Sequence, residues 1–180
     1  MKEVERKVLE VSVEEIKTKL LALNAKETQN TKMVIDWFGP KGLTHNGDDP
    51  WYLRIRKFGD DYSEISWKSL PVFVGNTRQS EEVTVEVKNS NVAKDLLKGL
   101  NFENYAHQEK IRNSFVLEDW IFDLDQYPGM PPYLEIEGKD HIHVDKAVKM
   151  LGLENHIQIS EGEKKLIEEK YGLNWRNMSF

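Results

Sequence analysis

Cysteine is absent from the 180 residues, so disulfide staples, thiolate metal centres and a cysteine nucleophile are excluded together. Long apolar runs are missing as well: none approaches the roughly 18 residues expected of a membrane span. The first seven residues already carry Lys2, Glu3, Glu5, Arg6 and Lys7, which is not how a secretory signal begins. Nor is there an excess of positive charge. The formal net charge is −6, which argues against a general nucleic-acid binder but not against a local basic pocket. A phosphate loop is lacking, because Gly39-Pro40-Lys41-Gly42 does not have the Gly-x-x-x-x-Gly-Lys-Ser/Thr form and reads as a hairpin loop. No Ser-His-Asp spacing can be argued, and no internal repeat, low-complexity tract or composition shift marks a linker. The remainder is ordinary for a globular chain, 39% apolar and 31% charged. Its length suits one domain with a substantial core. The expectation is a cytoplasmic protein with a single domain over 1–180, a C-terminal helix and tail at about 160–180, and neither membrane nor nucleic acid as partner.

Strand-like segments fall at about 2–10, 32–38, 51–58, 62–69, 78–88, 107–117, 119–126 and 132–138. Four helices interrupt them. Ser12-x-x-Glu15 is a capping box, followed by Ile16, Leu20 and Leu23 at helical spacing over 13–23. Asn89 or Ser90 caps a second helix carrying Val92, Leu96 and Leu97, with Gly99 as its stop. A third runs from Asp140 to Leu151 and ends at Gly152. The fourth opens on another capping box, Ser160-x-x-Glu163, and runs to about Tyr171 before Gly172. Turn chemistry is clear at Phe58-Gly59-Asp60-Asp61 and from Tyr127 to Pro132. The class is α+β, with mostly antiparallel strands and helices packed outside.

What the strands contain in unusual density is paired charge at alternate positions. Successive strand residues point to opposite faces, so Glu3, Glu5 and Lys7 project together while Val4 and Val8 project the other way. Later strands repeat the pattern. Arg54 and Arg56 oppose Leu53 and Ile55, and Lys68 opposes Trp67 and Ile65. Arg78, Glu82 and Glu86 oppose Val83, Val85 and Val87, and Lys110 and Arg112 flank Ile111. Asp123 and Asp125 oppose Phe122 and Leu124, and Glu135 and Glu137 oppose Leu134 and Ile136. A single such strand would simply show its polar side to water. As a set, with four amphipathic helices available for the apolar sides, the strands are expected to close into a barrel whose ionic faces point inward. Unmatched charges in such a lumen would cost several kcal/mol each, so the ligand should itself be highly charged. Arginine forks and lysines suit a polyanion, while carboxylate pairs suit a hard divalent cation. Together they describe a metal-chelated polyphosphate.

The ordered series resembles the CYTH superfamily, or triphosphate tunnel metalloenzymes, which includes class IV adenylate cyclases and thiamine triphosphatases. It comprises Glu3-x-Glu5-x-Lys7, Leu53-Arg54-Ile55-Arg56, Trp67-Lys68, Arg78 with Glu82, Lys110-x-Arg112, Asp125 and Glu135-Ile136-Glu137-Gly138. The resemblance spans roughly residues 2 to 171. It implies an eight-stranded antiparallel tunnel with helices outside. It implies metal ligation by Glu3, Glu5, Glu135 and Glu137, with Asp125 beside them, and Mg²⁺ or Mn²⁺ as cofactor, two ions being the expected number. Lys7, Arg54, Arg56, Lys68, Arg78, Lys110 and Arg112 would hold the triphosphate, with Lys7, Arg56, Lys110 and Arg112 acting in catalysis. Glu82 and Asp123 would orient the bases. The helix at 13–23 and Leu97-x-Gly99-Leu100 lean toward the class IV cyclase-like branch, which converts ATP to cyclic AMP and pyrophosphate. Hydrolysis of inorganic tripolyphosphate, thiamine triphosphate or a nucleoside triphosphate is the alternative, and a non-catalytic polyphosphate binder is the reading from another class. The partner is a small-molecule triphosphate, and a homodimer is compatible with the sequence. His141-x-His143 is weighed as a metal pair and read as part of the third helix start. Trp175, Met178 and Phe180 are free to plug the tunnel, pack on a partner or stay mobile.

Overall fold

The computed structural model describes residues 2–42, 51–60 and 62–180; Asp61, the last residue of the Phe58–Asp61 turn, lies outside them. Eight strands close into an antiparallel barrel: β1 (Lys2–Leu9), β2 (Lys26–Pro40), β3 (Trp51–Phe58), β4 (Tyr62–Ser69), β6 (Thr77–Val87), β7 (Phe102–Leu117), β8 (Trp120–Gln126) and β9 (Tyr133–Glu137). Around the barrel they run β1-β9-β8-β7-β2-β3-β4-β6, and β6 pairs back onto β1 through Lys2–Glu5. Three short strands are additions that alternation did not reveal. β5 (Val72–Val74) doubles back on β6, β10 (Gln158–Ile159) edges β1, and β11 (Asn177–Met178) lies parallel to β7. The β2–β7 ribbon is longer than its alternating centre, extending from Lys26↔Val116 to Pro40↔Phe102. Its flank Lys26–Thr31 is polar and largely exposed, so no hydrophobic period announced it.

Helices α1 (Val13–Ala22) and α3 (His141–Met150) cover one side of the barrel. The α1 start is as read: the Ser12 hydroxyl accepts from the Glu15 N–H. Asp140 caps α3 in the same way by accepting from the His143 N–H. Ile16, Leu20, Val144, Ala147 and Val148 pack onto Val4, Val8, Phe115, Phe122, Leu134 and Ile136, the outward residues of β1, β7, β8 and β9. Helix α2 (Ser90–Gly99), capped by Asn89, covers Phe38 and Ile55 with Ala93 and Leu97. Its buried face is therefore not the Val92–Leu96 edge, both of which are about 60% exposed. Nor does Gly99 stop it; Asn101 takes the left-handed position at φ +65°. Coverage by helices is incomplete, since Val83 and Val85 on the outer face of β6 remain exposed.

The C-terminal segment departs most from expectation. Ser160 caps nothing; the short helix α4 (Glu163–Lys165) starts after Gly162 without a side-chain cap and runs into a π-helical turn at Leu166–Lys170. Leu166, Ile167, Trp175 and Met178 are buried against Ile35, Trp37, Ala106, Tyr127 and Tyr133 at one end of the barrel. Of the three tail residues, Trp175 and Met178 thus pack on the barrel itself and Phe180 is exposed. Among the described residues no helix is long and apolar enough to cross a membrane.

Candidate active site

Strand parity sets the lumen. On β1 the odd residues Glu3, Glu5 and Lys7 face inward, and pairing places Glu5 between Arg78 of β6 and Glu137 of β9, with Lys7 opposite Glu135. Arg112 lies opposite Asp125 and Asp123 opposite Glu135. Arg54, Arg56 and Lys68 come from the adjacent β3 and β4. Two cavities of about 470 and 620 Å³ run inside the barrel and share Glu3, Arg56, Arg112 and Glu137 as lining. The seven bases and Glu3, Glu5, Glu82, Asp123, Glu135 and Glu137 line this space, whereas Glu86 is exposed; Asp125 is wholly buried behind Lys110 and Arg112.

The bases are held by acids in a lattice. Arg112 donates from Nε to Asp125 Oδ1 at 2.6 Å and from Nη2 to Asp125 Oδ2 at 2.5 Å, and also pairs with Asp123. Asp125 further accepts from Lys110 Nζ at 2.8 Å and from the Tyr133 hydroxyl at 3.3 Å. Glu82 meets Arg54, Arg56 and Lys68. Burial pushes its carboxyl up, but those three cations reverse this and hold it at about 2. Arg56 also pairs with Glu64 at 2.5 Å, an inward acid that the sequence reading passed over although it shares the parity of Ser66 and Lys68.

The acids fall into two groups. In one, oxygens of Glu3, Glu5 and Glu137 lie within 4.8 Å of one another; in the other, those of Asp125, Glu135 and Glu163 do. Like charges this close cannot all ionise. Burial raises Glu137, and the carboxyls of Glu3, Asp123 and Glu5 raise it further, to about 8. Burial and neighbouring Glu5 likewise hold Glu135 well above the usual carboxylate range, despite Lys7. Glu5 goes the other way. Burial disfavours its charge, yet Lys7 and Lys68, with a hydrogen bond from Glu135, bring it well below. Glu5 Oε2 accepts no hydrogen bond, and the buried Nε atoms of Arg54 and Arg78 donate none. A buried polar atom without a partner costs about 1–3 kcal/mol. The first acid group therefore fits a divalent cation, which would take up Glu5 Oε2 and compensate crowded carboxyls. The second is already matched by Lys110 and Arg112, so the expected five metal residues do not form one constellation.

Glu163 is the lumen residue that sequence reasoning misassigned. Its Oε1 accepts from Lys110 Nζ at 2.9 Å and from the Tyr133 hydroxyl at 2.8 Å. Burial pushes it up, but Lys110 and Lys7 hold it well below the usual range. The Ser-x-x-Glu spacing suggested a cap, and nothing local distinguishes a capping glutamate from one reaching into a tunnel. Among the described residues His143 belongs to neither acid group. It stacks on Trp120 at 4.1 Å, and its Nδ1 accepts from the Lys139 N–H, so the His141–His143 pair builds no metal centre here.

A model of the CYTH domain matches residues 1–166. The inorganic pyrophosphatase TTM2 of Arabidopsis thaliana is 28% identical over 151 residues, 81% of this chain and 21% of that protein. The chain thus spans about a fifth of the length of that curated relative. The PH1012 protein of Pyrococcus horikoshii OT3 superposes with a TM-score of 0.70 at 25% identity, covering 85% of this chain and 92% of that one. A candidate adenylate cyclase from Vibrio parahaemolyticus gives 0.74 at 14% identity, covering 92% and 97%. A candidate adenylyl cyclase from Hippeastrum, described as having a dominant triphosphatase activity, gives 0.67 at 19% identity over 96% and 97%.

Proposed function

Because the chain belongs to the CYTH family, we propose that it is a metal-dependent enzyme cleaving a phosphoanhydride of a small-molecule triphosphate held in the tunnel, with residues 1–180 acting as one tunnel domain. The observation that carries this reading is the convergence, in one lumen, of buried donors and a buried acceptor that make no hydrogen bond among the described residues: Arg54 Nε, Arg56 Nε, Arg78 Nε and Glu5 Oε2, the last with Lys68 Nζ 3.7 Å away. A ligand presenting both anionic oxygens and a cation would complete them together.

Glu3, Glu5 and Glu137 are the residues that would hold Mg²⁺ or Mn²⁺. Bound there, the ion would neutralise and polarise phosphoryl oxygens. The chain supplies the rest. Lys7, Arg54, Arg56, Lys68, Arg78, Lys110 and Arg112 receive the phosphates, and their multiplicity aligns the chain for in-line attack. Glu82, Asp123 and Asp125 keep the guanidinium and ammonium groups in place before the substrate arrives, so little reorganisation is needed at the reaction step. Glu135 keeps its proton shared with Glu5.

Two attacks fit this cradle. In the cyclase form the ribose 3′-hydroxyl attacks the α-phosphorus and expels pyrophosphate; helix α1 (Val13–Ala22) between β1 and β2 and the Leu97-x-Gly99-Leu100 stretch favour it. In the hydrolytic form water attacks the terminal phosphorus, and the 28% identity to a plant pyrophosphatase favours that. Parallel incubation with ATP, tripolyphosphate and thiamine triphosphate, with and without Mg²⁺ or Mn²⁺, separates them. The cyclase form yields cyclic AMP and pyrophosphate in equal amounts from ATP. Orthophosphate from the triphosphates without cyclic AMP assigns the hydrolytic form. Tight binding with no turnover of any substrate over hours ends the catalytic reading in favour of a binder.

A further inference from the structure

Glu163 is a lumen carboxylate that no barrel strand supplies. It arrives on the segment from Gly162 to Lys170, which enters one end of the barrel and places its carboxylate on Lys110, one of the phosphate-receiving bases, and on the Tyr133 hydroxyl. The preceding residue is just as deep. A Cβ built on Gly162 would lie 2.8 Å from Arg78 Nη1, so the backbone itself presses on a second residue of the basic set. The same segment therefore closes over Lys110 and Arg78 together.

We propose that Glu163 is a built-in competitor for the substrate: its carboxylate sits where a terminal phosphoryl group would meet Lys110, and the Gly162–Lys165 stretch gives way when a polyphosphate seats. This rests on the tunnel being the polyphosphate site. The exchange makes electrostatic sense. Lys110 is 3% exposed, and a buried ammonium left without enough counter-charge costs several kcal/mol. One anion replacing another keeps it matched in both states. A phosphate and Glu163 together would set like charges within a few ångströms of each other at the same nitrogen, in a region of low dielectric. The segment is also suited to move. Its helical turn at Leu166–Lys170 is π-type rather than α, a winding of marginal stability that recurs at functional sites. Leu166 and Ile167 anchor the far part of the segment in the barrel-end cluster, whereas none of Glu163–Lys165 is buried, so the movement is confined to the stretch before Leu166.

The test is calorimetric titration of wild type and Glu163→Gln with tripolyphosphate in Mg²⁺. Glutamine still offers Lys110 and Tyr133 an oxygen but carries no charge. The expected result is binding about tenfold tighter in Glu163→Gln, the scale of one partly screened like-charge contact. Equal affinities, or weaker binding by Glu163→Gln, overturn the proposal; weaker binding would make Glu163 part of the ligand site itself. If neither protein binds tripolyphosphate, it is the tunnel reading that fails. Hydrogen exchange on the wild-type protein keeps the test open should Glu163→Gln not fold. Amides of 162–165 should exchange faster once tripolyphosphate is added, and unchanged or slower exchange rejects the competitor role.

Discussion

Arg112→Ala is expected to remove turnover and to destabilise the protein by about 3–5 kcal/mol, the loss typical of breaking a buried ion pair on one side. The guanidinium grips both oxygens of Asp125, pairs with Asp123 and lies 3.8 Å from Glu135. Asp125 is fully buried, so after truncation its charge would face only Lys110 and Tyr133. Arg112→Lys should fall between, because an ammonium restores charge but not the two-pronged geometry. Chemical denaturation of wild type, both single variants and the double variant Arg112→Ala/Asp125→Asn checks the cause. The double variant should recover much of the stability but none of the activity, since the stranded charge is gone while the phosphate contact stays lost. A loss below about 1 kcal/mol in Arg112→Ala would mean that the Asp125 site relaxes or hydrates freely.

Loading the acidic triad with one divalent ion at pH 7 is expected to expel close to one proton. Glu137, held at about 8 by burial and by Glu3, Asp123 and Glu5, is mostly protonated at that pH and must ionise to bind metal. Metal affinity should therefore climb about tenfold per pH unit below 8 and level off above it. Titration in two buffers of different ionisation enthalpy measures the proton count directly. Glu137→Gln should abolish the release and flatten the pH dependence, whereas a release persisting in that variant would assign the proton to Glu135. Without metal the sign reverses for folding. A carboxyl raised from 4.5 to about 8 binds its proton more tightly in the folded chain, so its stabilising contribution is complete below 4.5 and disappears as pH rises through 8.

Most of this lumen could be read from alternation, for a simple reason: the strand period is two, and a closed barrel gives each parity only one destination. Glu3, Glu5, Lys7, Arg54, Arg56, Asp123, Asp125, Glu135 and Glu137 followed from that rule alone. Glu163 did not, because its strandless segment gains its place from Leu166 and Ile167 packing on the barrel end, a tertiary fact with no local period. The α2 face was misjudged for a related cause. Val92 and Leu96 are as apolar as Leu97, and only the position of Phe38 and Ile55 decides that Ala93 and Leu97 face inward. The division of the metal residues into two groups was likewise invisible, since it depends on Lys110 and Arg112 having claimed Asp125 first.

The first strand of the domain to be synthesised is the last to find both neighbours. β1 pairs with β6 through Lys2–Glu5 and with β9 through Glu5–Leu9, so it must wait for Tyr133–Glu137 to be synthesised before the cylinder can shut. Long-range pairing of this kind slows folding and leaves an unzipped edge exposed during translation. Glu3 and Glu5 would thus stay in the open for most of the synthesis of this domain, and the triad with Glu137 would come into being only in the final act of closure.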